Sequence, residues 1–466
     1  MKIIIERFGP IYNFEYDLDK ELIVTYGNNN IGKSYAMQIV YLLLKTFIGN
    51  NSMMMAARHN QMYLYPRHIG IPLPINKIEN MVKNFKESNQ QITDITNDLV
   101  REINNLISLV FMPEFVNSCK NTFGNLEKTL EKNPRIKIIH KEHIFDIDLK
   151  ANTIEGTIDI KPVHLKRTVS DFHKSRNFSS HLDIYVVDNI DDIDKPVNLI
   201  IKEIRENFIR YIWILSNNFE NVYFLPASRS GIYAGMNAFG SIVAELSRNR
   251  AYFTRKIEFP GISEPISDYF IALSNIKMKT NENLKKIYSE IEDNILKGKV
   301  TFEKNKNALM YKPNNVDALY EMTEVSSMVS EVSPVVAFLK YIVSAENRKN
   351  RKVKSILFIE EPEAHLHPNN QIMLMEIFAQ LINMDVKLIM SSHSNYVFNK
   401  INNLILSGKL DHNIYDPIVL EETLNGSVSK HVVVDELGAD DENFVDVSEA
   451  LYNEREEIIE NLNKED

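Results

Sequence analysis

Residues Gly27 to Ser34 read GNNNIGKS, following the apolar run Leu22, Ile23, Val24 and preceding YAMQIVYLLLKTF. A glycine-bounded loop that joins a buried strand to a helix and closes on Lys-Ser is a phosphate-binding loop, and that setting commits the chain to an α/β architecture. The chemistry explains the residue types. Gly27 and Gly32 let the backbone approach phosphate oxygens, while the N–H groups of Asn28, Asn29 and Asn30 and the start of the following helix supply positive potential. Lys33 adds a mobile cation, Ser34 is expected to ligate Mg²⁺, and Tyr35 belongs to the same cofactor-binding set. Taken alone, the loop implies a bound nucleoside triphosphate such as ATP.

Acids must meet that loop for hydrolysis, and the stretch SILFIEEPEAHLHP, residues 355–368, supplies them. Four apolar residues, Ile356 to Ile359, put the next side chains at the carboxyl end of a buried parallel strand, where nucleotide sites of α/β sheets lie. Glu360 is expected to orient Mg²⁺ or its water, and Glu361 to activate water for attack on the γ-phosphate. A second buried strand, VKLIMSSHS, brings His393 to the same edge, 32 residues beyond Glu361, where it is expected to hydrogen-bond the γ-phosphate. His365 and His367 have an i, i+2 spacing, but no cysteine or second histidine pair accompanies them as a zinc site requires. Upstream, TEVSSMVSEVSPVVAFLKYIV places Ser326, Ser327 or Ser333 at the start of an amphipathic helix, with Pro334 suited to its first turn if Ser333 is the cap.

The 466 residues, 44% hydrophobic and 25% charged, suit a large soluble protein of closely joined domains. A net charge of −10 supplies no global field for nucleic acid or an anionic membrane, although a local patch remains compatible with it. Cys119 is the only cysteine, which excludes an intramolecular disulfide and fits a reducing, cytoplasmic compartment. The longest apolar segment, Ile39 to Ile48, is too short for a membrane span and contains Lys45.

In chain order, KIIIERF, IYNFEYDL and ELIVTY predict strands leading into the loop, and residues 50–73 read as an irregular connection. Apolar residues from Ile78 to Val110 recur at helical spacing and predict one amphipathic helix over residues 75–110, roughly 50 Å long. Residues 135–190 alternate as strands of a small inserted sheet, a helix is expected from Asp194 to Ser216, and NVYFLPASRSG reads as a strand ending in a turn. Residues up to Gly298 read as largely helical, VTFEKNKNALMY as a hairpin, and the tail as strand, strand, helix. Its acids Asp435, Glu436, Asp440, Asp441 and Asp446 read as a solvated face. The expected divisions are residues 1–49 with the loop, a helical and small-β insertion at 50–220, the rest of the nucleotide-binding unit at 221–410, and a β/α tail at 411–466.

Taken together, GNNNIGKS, the serine-bearing helix, FIEEPEAHLHP and SSHS resemble an ABC-type ATPase head of the Structural Maintenance of Chromosomes kind. They are similar above all to the stand-alone AAA_15/AAA_21 ATPases, among them the ATPase halves of OLD-family nucleases and of anti-phage systems such as Septu, Gabija and PARIS. The resemblance covers about residues 1–48 and 220–410. It implies a P-loop fold with a mixed sheet and an antiparallel β subdomain, Glu360 as Walker-B acid, Glu361 as catalytic base, Ala364 to His367 as D-loop and His393 as switch histidine. It also implies an ATP-sandwich homodimer, or a higher even-numbered oligomer, in which Ser326 or Ser327 of one subunit faces the phosphates held by Lys33 of the other. Three departures stand out: Ser326-Ser327-Met328 replaces Ser-Gly-Gly, glutamate replaces aspartate at 360, and no Q-loop glutamine is present, its place falling to the turn PASRSG with Ser228 and Arg229. About 70 residues follow His393, too few for the TOPRIM nuclease of OLD proteins, and the 36-residue helix is too short to bridge chromosomes. These absences imply an ATPase that controls a separately encoded nuclease or toxin. The alternatives are a nucleotide-gated scaffold with little turnover and a DNA-maintenance ATPase acting on DNA directly.

Overall fold

The computed structural model describes residues 1–59, 73–169, 181–187, 193–216, 219–235, 261–277, 279–344, 347–348, 351–352, 354–440 and 452–459. The N-terminal strands β1 (Lys2–Phe8) and β2 (Ile11–Asp17) form a hairpin, and β3 (Leu22–Tyr26) runs into the phosphate loop and helix α1 (Lys33–His59). There follow α2 (Ile75–Glu87), β4 (Ile92–Asp94), α3 (Thr96–Phe123), β5 (Arg135–His140), β6 (His143–Asp148), β7 (Thr153–Gly156), β8 (Val163–Thr168), β9 (Leu182–Val187), α4 (Asp194–Leu215) and β10 (Phe219–Leu225). The second half carries α5 (Glu264–Ser274), the hairpin β11 (Gly298–Glu303) and β12 (Ala308–Pro313), β13 (Tyr320–Glu321) and α6 (Ser327–Ala337). Strand β14 (Lys354–Glu360), α7 (Pro368–Ile382), β15 (Val386–Ser391), α8 (Asn395–Leu406), β16 (Tyr415–Thr423) and β17 (Gly426–His431) complete the main elements.

One eleven-stranded mixed sheet has the order β10-β14-β15-β3-β16-β17-β2-β1-β5-β6-β7. The five strands from β10 to β16 are parallel. The far wing, from β2 through β7, is antiparallel throughout. Because successive strand side chains point to opposite faces, both faces of the parallel part are apolar. Ile23, Ile356, Phe358 and Ile389 join the core built on α1, α3 and α4. Val24, Leu357, Ile359, Leu388 and Met390 join the core built on α6, α7 and α8. Helices on both faces leave the carboxyl ends of these strands as the open edge. Among the described residues no helix is long and apolar enough to cross a membrane.

Three local expectations change. Helix α1 continues through residues 50–59, so the irregular connection begins no earlier than residue 60, and residues 60–72 lie outside the described ones. The strand-like stretch 135–190 divides: β5, β6 and β7 extend the main sheet through β1, while β8 and β9 pair with β4 in a separate three-stranded sheet. The single helix expected over 75–110 is two helices with a strand between them. Helical spacing continues across the break because Ile95 caps α3 and is itself buried, so periodicity alone does not reveal the interruption. Capping groups end α2: the Arg167 guanidinium donates to the carbonyls of Phe85 (3.2 Å), Lys86 (2.7 Å) and Ser88 and, through Nε, to Gln90 (2.9 Å). The Phe85 carbonyl also accepts the Ser88 N–H (3.2 Å) and hydroxyl (2.8 Å), so Arg167 adds to a turn that already closes the helix. Arg167→Ala is expected to lower stability by about 1–2 kcal/mol, the scale for losing charge-assisted bonds to part-buried carbonyls, read as a lower urea midpoint at unchanged slope.

Candidate nucleotide site

The parallel strands deliver their last residues to one edge in register, with Glu360 beside Ser391 and Ser391 beside Thr25. The loop 27–32 rises from this row. Its backbone needs positive φ at Gly27 (135°), Asn30 (65°) and Gly32 (103°). A Cβ at Gly27 would come within 2.7 Å of the Leu420 carbonyl, so the residue is glycine for space as well as for φ. Asn28, Asn29 and Asn30 are exposed, as are Ser34 and Tyr35 at the start of α1. The Tyr35 ring packs 5.0 Å from Phe123. Lys33 folds back under the loop and donates to the carbonyls of Gly27 (2.9 Å) and Asn28 (2.7 Å). Burial lowers its pKa to about 8, against the opposing pull of Glu361 and Glu363.

Glu360 is 4% exposed. Its Oε2 accepts the Ala227 N–H at 3.1 Å, while Oε1 is enclosed and has no hydrogen-bond partner among the described residues. Burial pushes its carboxyl above the ordinary range, opposed by the Ala227 N–H and the Ser34 hydroxyl. Glu361 has φ +43°, a conformation that an L-residue holds only when its surroundings over-determine it. Its N–H donates to the Ser391 carbonyl at 3.1 Å. His393 Nε2 lies 3.6 Å from Glu361 Oε1, and the pull of this imidazole leads the influences that hold Glu361 below the usual carboxylate range. Glu363 places the histidine: its Oε1 accepts from Ser392 Oγ (2.7 Å) and the His393 N–H (2.8 Å). Its Oε2 is a second enclosed carboxylate oxygen without a partner.

Arg229 ties these groups together. It is fully buried. Nη1 donates to the Glu360 carbonyl (2.8 Å) and to Pro226 (3.1 Å), Nη2 to the Glu361 carbonyl (3.2 Å), and Nε to the Glu331 carbonyl (3.1 Å). The Glu331 carboxylate lies 3.4 Å from Nε and also receives the N–H groups of Arg229 and Ser230. Glu331 sits on α6, whose N-cap is Ser326, its hydroxyl accepting the Val329 N–H at 3.4 Å. Pro334 therefore lies inside the helix rather than in its first turn. The guanidinium thus joins the acid turn after β14 to the helix that carries the serines.

The structure brings Gly27, Lys33, Ser34, Glu360, Glu361 and His393 to one edge. Ser326 and Ser327 are exposed, and their hydrogen bonds stay within the first turn of α6. His367 caps α7 by accepting the Asn369 N–H through Nδ1, which accounts for that histidine without zinc. Three participants escaped the sequence reading: Glu331, Glu363 and Ser392. Glu331 was detectable in principle, because a lone acid among SMVSEVSPVVAFL on a buried helix demands a cation. Glu363 and Ser392 carried no signal beyond proximity to recognised residues. Of the tail acids, Asp435, Glu436 and Asp440 are exposed, while Asp441 and Asp446 lie outside the described residues.

The family described as AAA ATPase domain, AAA_15, matches residues 1–398. The chain belongs to this family. Among solved structures it is similar to the SMC head domain from Thermotoga maritima, at 8% identity and TM-score 0.36 over 93% of this chain and 98% of that one. It is similar also to an SmcHead bound to the C-winged helix domain of ScpA, at 9% identity and TM-score 0.36 over 93% and 98% of the two chains. Among curated proteins no relative matches. Within this AAA ATPase domain the buried pair gives a clear test. Arg229→Met alone is expected to cost about 3–5 kcal/mol by stranding Glu331, and Arg229→Met with Glu331→Leu is expected to cost less than the two single losses together, though the carbonyls Arg229 held and the N–H groups Glu331 held stay without partners. A double-mutant cycle by chemical denaturation measures the coupling, and single and double losses that simply add would show that the pair does not act as a unit.

Proposed function

We propose that this ATPase binds ATP–Mg²⁺ on the loop 27–35 and hydrolyses it with Glu361 as general base. The observation that supports the reading most is the enclosed, unpartnered Glu360 Oε1 beside the hydroxyl of Ser34. A buried carboxylate oxygen next to a loop serine fits Mg²⁺, which binds through one or two protein oxygens plus substrate phosphate and water. Bound there, the ion would neutralise charge developing on the phosphoryl oxygens. Loop N–H groups and Lys33 would hold the phosphates, and Glu361, kept ionised beside His393, would accept the proton of the attacking water. His393 would then stand where it can donate to the γ-phosphate.

The composite arrangement is part of the proposal: a homodimer in which the exposed Ser326 and Ser327 of one subunit meet the phosphates held by the other. On the family resemblance alone, the reading extends to control of a separately encoded nuclease or toxin in anti-phage defence. Glu361→Gln is expected to slow ATP turnover about a hundredfold or more while leaving ATP binding intact and stabilising an ATP-dependent dimer. Turnover assays and sedimentation check this. Were Glu361→Gln to preserve cellular function while Lys33→Ala abolished it, a nucleotide-gated scaffold would replace the enzyme.

Lys33 adds a pH signature. Its pKa is about 8 in the folded protein against an ordinary 10.5. Below pH 8 the ammonium is already present to meet phosphate. Above it, binding must also take up a proton, so ATP affinity is expected to fall by up to about tenfold per pH unit until the ordinary lysine value is approached. Calorimetric titration across pH 7–10 measures the slope. Lys33→Arg, charged throughout, should flatten it.

A further inference from the structure

The three-stranded sheet carries a cluster unrelated to the nucleotide chemistry. His164 on β8 pairs in register with Asp183 on β9, and His181 immediately precedes β9, two residues before Asp183. His164 Nδ1 is 3.5 Å from Asp183 Oδ1, and His181 Nε2 is 3.6 Å from Asp183 Oδ2. One donor atom from each residue lies within 4.8 Å of the other two, the one such set of His, Cys, Asp or Glu among the described residues. Asp183 Oδ1 is enclosed and, among the described residues, meets no donor nearer than the His164 imidazole at 3.5 Å. Such an oxygen is costly unless something positive reaches it.

We propose that His164, His181 and Asp183 form a binding site for a divalent transition metal of the zinc class. Donors of a tetrahedral zinc ion, each about 2.0–2.1 Å away, stand about 3.3–3.4 Å apart, close to the two histidine–carboxylate separations. His181, 39% exposed against 25% for His164 and 17% for Asp183, is the most accessible of the three. Two imidazoles favour zinc or a neighbouring first-row ion over Mg²⁺ or Ca²⁺, which take oxygen ligands. Lys166 Nζ lies 2.6 Å from Asp183 Oδ2, the oxygen nearer His181, so a bound ion competes with the ammonium for this carboxylate. Bound there, it staples β8 to β9 across the sheet face.

That competition distinguishes a metal site from an ordinary ion pair. Tag-free full-length chain, stripped with chelator and titrated with Zn²⁺, is expected to bind one more equivalent than His164→Gln, His181→Gln or Asp183→Asn, each checked for native circular dichroism. Lys166→Met, which removes the competing cation and leaves every ligand in place, is expected to bind Zn²⁺ severalfold more tightly than wild type. Equal zinc stoichiometry in wild type and the three ligand variants would overturn the proposal. So would a Lys166→Met protein that binds no more tightly than wild type, since a purely structural Lys166–Asp183 pair predicts no gain.

Discussion

Everything at the open edge of the sheet leans on one buried cation. The guanidinium of Arg229 spans the carbonyls of Glu360 and Glu361 and the carboxylate and carbonyl of Glu331. Burying such a charge is expensive, and it is tolerated here because the guanidinium fork meets a carboxylate and four carbonyls at once. The positive φ of Glu361 becomes tenable in the same way. Its carbonyl is held by Arg229 and its N–H by Ser391, so the turn that presents the side chain has little freedom to relax. A lysine could offer a point charge in this place but not the fork.

The same contact gives the site a mechanical connection. Glu331 lies one turn and a fraction beyond the cap Ser326, on a helix whose residues from Val329 to Ala337 are all buried. A shift of the helix end would therefore load the Arg229–Glu331 pair, and through it the carbonyls of the two acids. On the proposed dimer, where Ser326 and Ser327 meet a nucleotide held by the other subunit, engagement of that nucleotide and alignment of Glu361 would be two ends of one rigid strut.

Much of this was legible in the residues, and the boundary of legibility has a physical cause. Strand β14 could be read because four consecutive apolar residues followed by acids are what a strand buried on both faces, ending at a polar edge, must look like. The hairpins around Gly9 and in 298–313 were likewise marked by alternation and turn residues. The break between α2 and α3 was hidden because one group that holds it, Arg167, comes from a strand some eighty residues later and caps carbonyls that any sequence possesses. Arg229 was hidden for the same reason: most of its partners are backbone groups, so no complementary side-chain pattern announces it. Long-range side chain to backbone bonds are the part of a fold that composition and periodicity record least.

The charge inventory of the site makes a final step possible. Arg229 and Glu331 offset one another, which leaves Glu360, Glu361 and Glu363 clustered against Lys33, with His393 beside Glu361. Two of those carboxylates keep an enclosed oxygen with no partner, and burial has already weakened the lysine's hold on its proton. A polyphosphate entering such a place alone would add anions to a surplus of acid. The arrangement becomes favourable only if the nucleotide arrives with a divalent cation that serves both the phosphate oxygens and Glu360, and if Lys33 keeps its proton on meeting the phosphates. On the proposed reading, then, the unpartnered oxygens and the depressed lysine are two sides of one electrostatic deficit that ATP–Mg²⁺ would remove and ATP by itself would deepen.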